Sequence, residues 1–179
     1  MKPPLPFPLA LNIGTDIVHL PRITRLVTRP GGYLTRFTRR ILTESEQRDF
    51  RVRFSLPEPN PNPDTNLKSS IRKGQSQSGD TNGNSFRVTP EMARWLAGRF
   101  AAKEAGRKAA VGGAGVVGWK DVVVRARVPD ENGSVRPDVV LYDGGDIGAA
   151  GETERQGRVG RLSISHDGEY VVATVLVAG

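Results

Sequence analysis

The chain contains no cysteine, few aromatic residues and no long hydrophobic run. Without cysteine, this 179-residue protein forms neither a disulfide nor a thiolate metal site. Aromatic residues make up 6% of the sequence, which leaves few rings for stacking on nucleic-acid bases. No stretch reaches the ~18 consecutive apolar residues of a membrane-spanning helix, so we predict no membrane segment.

Several catalytic motifs are missing as well. The sequence has two histidines and no G-x-S-x-G motif, so covalent hydrolase chemistry has no support. It also lacks the glycine-rich loops of P-loop and dinucleotide-binding proteins. These absences exclude the commonest routes to nucleotide hydrolysis and hydride transfer.

The charge balance is strongly basic. Lysine and arginine number 26 against 19 acidic residues, which gives a formal net charge of +7. A basic surface favours an anionic partner. Nucleic acid, an acidic protein, a phosphorylated small molecule and a membrane surface all meet this description.

Local signals predict helices in the first half of the chain. Residues 21–29 begin with proline and space apolar residues on one face. Thr43 and Glu46 form a capping-box pattern for a second helix. A long helix is expected to start at Thr89-Pro90, continue to about Ala110 and stop at Gly112-Gly113.

Strands are predicted before and after these helices. LALNIGTDIV predicts a strand that ends at Gly14, followed by a turn that presents Asp16. WKDVVVRARV and SVRPDVVLY flank a turn at Asp130–Gly133, and RLSISH and YVVATVLV flank a DGE turn. The predicted class is therefore α+β, with helices packed on a small antiparallel sheet.

Two segments lack the composition of a packed core. Residues from about 55 to 86 combine four alternating prolines with Ser, Asn, Gln and Gly, and residues from about 144 to 159 are rich in Gly and polar side chains. Such segments bury too little apolar surface to offset their ordering entropy. We predict disordered insertions within one domain that spans residues 1–179.

Three polar positions are candidates for chemistry. Asp16 follows a strand, Glu104 lies among cations in AGRFAAKEAGRKAA, and His166 ends a strand. Each also has a plain structural interpretation. Asp16 suits a turn residue that caps the next helix, His166 a solvated turn, and Glu104 an ion pair with Lys108 worth about 0.3–0.5 kcal/mol.

Together, three segments resemble the signatures of holo-acyl-carrier-protein synthases, the small 4′-phosphopantetheinyl transferases: IGTDIVHLPRI, WLAGRFAAKEAGRKAA and LSISHDGEYVVATVLV. The resemblance implies that the phosphopantetheine arm of coenzyme A is transferred to a serine of apo acyl carrier protein, with release of adenosine 3′,5′-bisphosphate. Such a transfer needs positioning and charge stabilisation more than a protein nucleophile. It also implies Mg²⁺, held by carboxylates and by the phosphates of the substrate.

The resemblance assigns roles to individual residues. Asp16 and Glu104 match the metal ligands, and Lys108 matches the lysine that contacts the pyrophosphate. The positions matching contacts to the nucleotide half of coenzyme A are Arg99, Lys103, Lys108, Ser165 and His166. His19 stands where relatives often have glutamate, so its role stays open. The acceptor of the serine proton stays open between a metal-bound water and an acidic side chain.

The resemblance also implies partners. An acidic carrier protein is expected to dock on a basic surface that includes Arg22, Arg25, Arg29 and Arg36, and the assembly is expected to be a homotrimer. The insertions suggest a eukaryotic source, for which the mitochondrial matrix is favoured over the cytoplasm. The alternative, a basic nucleic-acid-binding module, is supported by net charge alone.

Overall fold

A five-stranded antiparallel sheet curls around one long helix. The computed structural model describes residues 8–57, 87–126, 137–142 and 156–179. In the described residues, the elements in chain order are β1 (Leu11–His19), α1 (Leu20–Val27), α2 (Tyr33–Ile41), α3 (Glu44–Arg53), α4 (Pro90–Ala109), β2 (Val122–Ala126), β3 (Pro137–Tyr142), β4 (Gly157–Asp167) and β5 (Tyr170–Ala178).

The first strand pairs with the last one. The strand order is β1-β5-β4-β3-β2, and every neighbouring pair is antiparallel. β1 and β2 therefore form the two edges of the sheet. Both edges nevertheless contact α4, so the sheet is curved around the helix and not stacked flat against it.

The composition of α4 permits this close wrapping. Ten of its 20 residues are buried, and seven of these are alanine or glycine. At Gly14 of β1, a Cβ would lie 2.7 Å from the backbone nitrogen of Ala109 and would also meet the carbonyl of Ala105. At Gly106 of α4, a Cβ would lie 2.7 Å from Val122 of β2. Small residues thus let both sheet edges reach the helix backbone.

Most predicted elements are confirmed. Thr89 caps α4 by accepting a hydrogen bond from the Met92 N–H, and Thr43 and Glu46 form the capping box of α3. β2 pairs with β3, and β4 pairs with β5 across the DGE turn. The α+β class is confirmed. The insertion at 55–86 and the turn at 130–133 lie almost wholly outside the described residues.

Two element boundaries differ from prediction, and one helix was not predicted. β1 does not end at Gly14 but continues to His19, because glycine here allows contact with α4 instead of starting a turn. Residues 157–159, assigned to the second insertion, begin β4; residues 144–155 of that insertion lie outside the described ranges. α2 was not predicted, since its N-cap is Gly32 and no side chain caps it.

Within the described ranges no helix packs on the sheet face that points away from α4, and this face is partly apolar. Side chains alternate along β1, so Gly14 and Val18 are buried while Ile13 and Ile17 are 68% and 62% exposed. Leu176 and Tyr170 of β5 continue this surface, which we call the outer face. Among the described helices, none combines the length and apolarity needed to cross a bilayer.

Candidate active site

β1 brings Asp16 to the C-terminal half of α4. Asp16 lies on the same side of β1 as Gly14, where the strand touches the helix. Its Oδ1 accepts a bond from Lys108 Nζ at 2.8 Å, and the same ammonium donates to the Thr15 carbonyl at 3.0 Å. Asp16 is therefore a strand residue that faces α4, and the alternative of a turn aspartate that caps α1 is wrong: the N-cap of α1 is His19, without a side-chain cap.

Glu104 pairs with Arg107 and not with Lys108. Glu104 Oε1 accepts from Arg107 Nη1 at 3.0 Å, one turn along the helix. Lys108 is directed to Asp16 instead. The ion pair between Glu104 and Lys108 is thus absent, and the two carboxylates each hold a different cation of the same helix turn.

These carboxylates have the chemistry of a magnesium site. Asp16 and Glu104 side chains are 16% and 19% exposed, so both are anchored yet open to solvent. No group of three or more potential metal-ligating side chains occurs among the residues that the structure describes. Mg²⁺ commonly binds one or two carboxylates and completes its coordination with water and substrate phosphates. The donor set therefore fits that ion.

Lys103 does not face this site. Its side chain is fully buried and pairs with Glu46 of α3 at 2.6 Å. The ammonium also donates to the carbonyls of Trp119 and Val122. The three N–H donors of the ammonium are thereby directed at oxygens inside the protein. This geometry does not favour the contact with a phosphate of coenzyme A that the resemblance implies, and that contact stays a prediction.

Glu46 is a structural residue that the sequence interpretation missed in part. Its Oε2 accepts bonds from Thr43 N and from Lys103, and its Oε1 accepts from Val124 N at 3.1 Å. The capping box identifies the first of these contacts from the sequence. The others depend on how α4 and β2 pack against α3.

Arg99 is also directed away from Asp16. Arg99 Nη1 donates to the Val124 carbonyl at 2.8 Å, and the guanidinium lies over the Trp95 ring at 4.6 Å. Burial lowers the pKa of this guanidinium below its ordinary value, an effect that Glu46 and Asp49 oppose. The structure thus anchors Arg99 at the β2 edge and does not bring it to the two carboxylates.

Ser165 and His166 lie exposed at the end of β4. Adjacent strand residues point to opposite faces, so His166 lies on the side of α4 and Ser165 on the outer face. His19 likewise points to the outer face, where its Nε2 lies 3.3 Å from Glu169 Oε2 and its ring 5.2 Å from that of Tyr170. His19 therefore does not share the face of Asp16.

The predicted basic surface is present on α1 and α2. All four arginines are exposed, and no carboxylate of the described residues pairs with them: Arg22, Arg25, Arg29 and Arg36. The Tyr33 ring lies between two of them, 5.7 Å from the Arg29 guanidinium and 4.1 Å from that of Arg36. Arg22 lies over Phe100, one turn before Glu104, so this surface adjoins the helix that carries Glu104.

A sequence model of the 4′-phosphopantetheinyl transferase superfamily matches residues 12–175. The chain belongs to this superfamily. The transferase is 56% identical to 4′-phosphopantetheinyl transferase B, mitochondrial, of Aspergillus fumigatus over 98% of both chains. It is 33% identical to a holo-[acyl-carrier-protein] synthase of Gloeobacter violaceus, over 94% of this chain and 92% of that one.

Solved structures support the fold of the transferase. The holo-ACP synthase of Plasmodium yoelii superposes with a TM-score of 0.52 at 22% identity, over 94% of each chain. At this identity the likeness concerns the fold alone. The family match and the curated relatives confirm both the family and the enzyme class that the three motifs predicted.

Proposed function

We propose that this enzyme moves the 4′-phosphopantetheine arm of coenzyme A to a serine of apo acyl carrier protein at a Mg²⁺ site formed by Asp16 and Glu104. The transferase class follows from the family match and the curated relatives. The observation that supports the site is the contact of Asp16 with Lys108, one helical turn from Glu104. This contact brings together the first and the second of the three sequence motifs, which carry Asp16 and Lys108.

The chemistry requires little covalent participation by the protein. The serine oxygen attacks the phosphorus that carries pantetheine, and the bond from that phosphorus to the bridging oxygen breaks, so that adenosine 3′,5′-bisphosphate leaves. The serine proton passes to a water molecule or to an acidic side chain. When bound, Mg²⁺ supplies charge neutralisation at the pyrophosphate. Asp16 and Glu104 would hold it, because they are the two partly exposed carboxylates of this surface.

Lys108 contributes positive charge where the leaving group forms. Its ammonium is exposed by nearly half and is held at one side by Thr15 and Asp16. The remaining side is open to an anion. A fixed cation stabilises charge that develops in the transition state more than charge already present in the substrate. Lys108 is therefore proposed to neutralise the departing bisphosphate.

The basic surface on α1 and α2 is proposed to bind the carrier protein. Arg22, Arg25, Arg29 and Arg36 are exposed without acidic partners in the described residues, which leaves their charge for an acidic surface. Charge complementarity of this kind raises the association rate and weakens with salt. Arg22 lies near Phe100, so a docked carrier helix would lie close to Glu104.

Completion of the nucleotide pocket is proposed to need a second subunit. His166 and Ser165 are exposed on opposite sides of β4, and neither contacts Asp16 or Glu104 in the structure. The apolar outer face offers a surface for subunit contact. A homotrimer is the assembly that the family resemblance favours, and the mitochondrial relative favours the mitochondrion as compartment.

The function is tested with Glu104→Gln. This variant keeps size and hydrogen bonding but removes the negative charge, so transfer is expected to fall by about 10²-fold or more. The measurement is mass spectrometry of apo acyl carrier protein incubated with coenzyme A and Mg²⁺, which detects each added arm. Glu44→Gln, an exposed glutamate in the first turn of α3, serves as the control and is expected to retain wild-type activity. A Glu104→Gln enzyme that modifies the carrier at the wild-type rate would show that the metal assignment is wrong.

A further inference from the structure

Arg107 is held in place by more groups than a surface ion pair requires. Its Nε donates to the Val117 carbonyl at 2.7 Å, and its Nη2 donates to the Ala114 carbonyl. The guanidinium also lies 4.8 Å from the Trp119 ring centre. These contacts come from the segment after α4, so the arginine is held in place independently of its contact with Glu104.

The remaining nitrogen of this anchored group holds Glu104. Nη1 donates to Glu104 Oε1 at 3.0 Å, and both side chains are more than four-fifths buried. An exposed pair of this spacing contributes little, because two mobile side chains must be ordered together. Here the arginine is already ordered by the two carbonyls and the ring. The bond therefore restricts the carboxylate more strongly than an isolated pair would.

The geometry leaves one oxygen of Glu104 for a ligand. Within the described residues, Arg107 is the partner of Oε1, and no residue donates a hydrogen bond to Oε2. Arginine has no lone pair to offer a cation and cannot itself be a ligand. Arg107 can therefore favour metal binding only through the orientation of Glu104, because its own positive charge repels a cation.

We infer that Arg107 is a positioning residue, which aims Glu104 Oε2 at the metal by tying Oε1 to the segment after α4. This inference rests on the proposed function. The inference gives the 113–119 segment a role, because its carbonyls hold the Arg107 guanidinium and this guanidinium orients the Glu104 carboxylate. Partners of this kind typically change metal affinity about 10- to 100-fold when they are removed.

The experiment measures Mn²⁺ binding by electron paramagnetic resonance in the presence of coenzyme A and without carrier protein, so that no turnover occurs. Arg107→Gln is expected to weaken Mn²⁺ binding about 10- to 100-fold. Arg107→Lys is also expected to bind Mn²⁺ more weakly than wild type, because one ammonium cannot replace the planar fork. Arg125→Gln, which removes a bond to Tyr142 on β3, is the control and is expected to leave Mn²⁺ binding unchanged.

Two outcomes would overturn the inference and can be told apart. If Glu104→Gln loses Mn²⁺ binding while a folded Arg107 variant binds as wild type does, Arg107 stabilises the 113–119 segment and nothing more. If Glu104→Gln itself binds Mn²⁺ with wild-type affinity, the proposed metal site is wrong and Arg107 has no ligand to position. Arg107→Lys keeps the test decisive if Arg107→Gln does not fold.

Discussion

Two lysines five positions apart on α4 have opposite environments. Lys103 is wholly buried and bonded to Glu46, whereas Lys108 is open to solvent and bonded to Asp16. Both belong to the same basic sequence motif. Of these two lysines only Lys108 is open to solvent in the structure, so we expect Lys103 to stabilise the fold and propose the chemical role for Lys108.

The buried pair leads to a prediction about stability. Glu46→Gln would leave the Lys103 ammonium inside the protein without its counter-charge, which costs about 3–5 kcal/mol in comparable pairs. We expect the free energy of unfolding in urea to fall by that amount. Glu44→Gln on the same helix is the control and should change it by less than about 0.5 kcal/mol. A loss below ~1 kcal/mol for Glu46→Gln would contradict the role assigned to the pair.

The sequence motifs predicted which residues are candidates for the site, but not which residues contact them. Asp16, Glu104 and Lys108 were identified from motifs, and the structure brings Asp16 to Lys108. The contacts of Lys103 with α3 and of Arg99 with β2 were not predicted, because the face of α4 that the sheet covers depends on the curvature of the sheet, which hydrophobic periodicity does not report. The contacts of Arg107 were not predicted either, because its partners are backbone carbonyls of the segment after α4, which no sequence pattern indicates.

At the scale of elements, the ends of α4 were predictable and its surroundings were not. Thr89 with Pro90 marks the beginning, and Gly112 with Gly113 follows the end, all by local rules. The sequence predicted a turn after Gly14, whereas in the structure β1 continues through this residue and contacts the α4 backbone there. A glycine required for contact with a distant helix has no local signature that separates it from one in a turn.

Two glycines that lie in different surroundings provide an element-scale prediction. Gly14→Ala would force a methyl group against the α4 backbone, so it is expected to cost about 1–3 kcal/mol or more. It should also lower transfer activity, because β1 carries Asp16. Gly98→Ala in α4 meets only Ile164, at 4.0 Å, and is expected to stabilise the protein by about 0.4–1 kcal/mol.

Thermal and urea unfolding of both variants, with the transfer assay, provides the measurement. Opposite signs for the two alanines are expected from the packing. If both variants changed the free energy of unfolding equally, the close approach of β1 to the α4 backbone would not require a glycine at position 14.

At the scale of the whole molecule, the outer face is the surface through which we propose that copies of the enzyme associate. Ile13 and Ile17 are exposed on the same face of β1, where they pair with Leu176 and Val172 of β5. Apolar surface of this kind favours burial against a partner. The single-domain organisation and the trimer both stay predictions.

The trimer is tested by Ile17→Glu. A charge on the outer face is expected to convert a trimer to monomers without loss of secondary structure, as measured by light scattering after size exclusion and by circular dichroism. Val52→Glu on α3 replaces a side chain that is 81% exposed and away from this face, so it should leave the assembly unchanged. A wild-type monomer, or a trimeric Ile17→Glu variant, would contradict the proposal.

The pairing of the first strand with the last has a consequence for biosynthesis. Thr15 and Thr174 are bonded across a separation of 159 residues. During translation, β1 leaves the ribosome long before β5 exists, and its strand edge stays unpaired for most of synthesis. This long-range pairing also closes the sheet around α4, so the nascent chain completes its core only when β5 emerges. Until then its apolar surface is exposed, and this is the period in which chaperones would protect it.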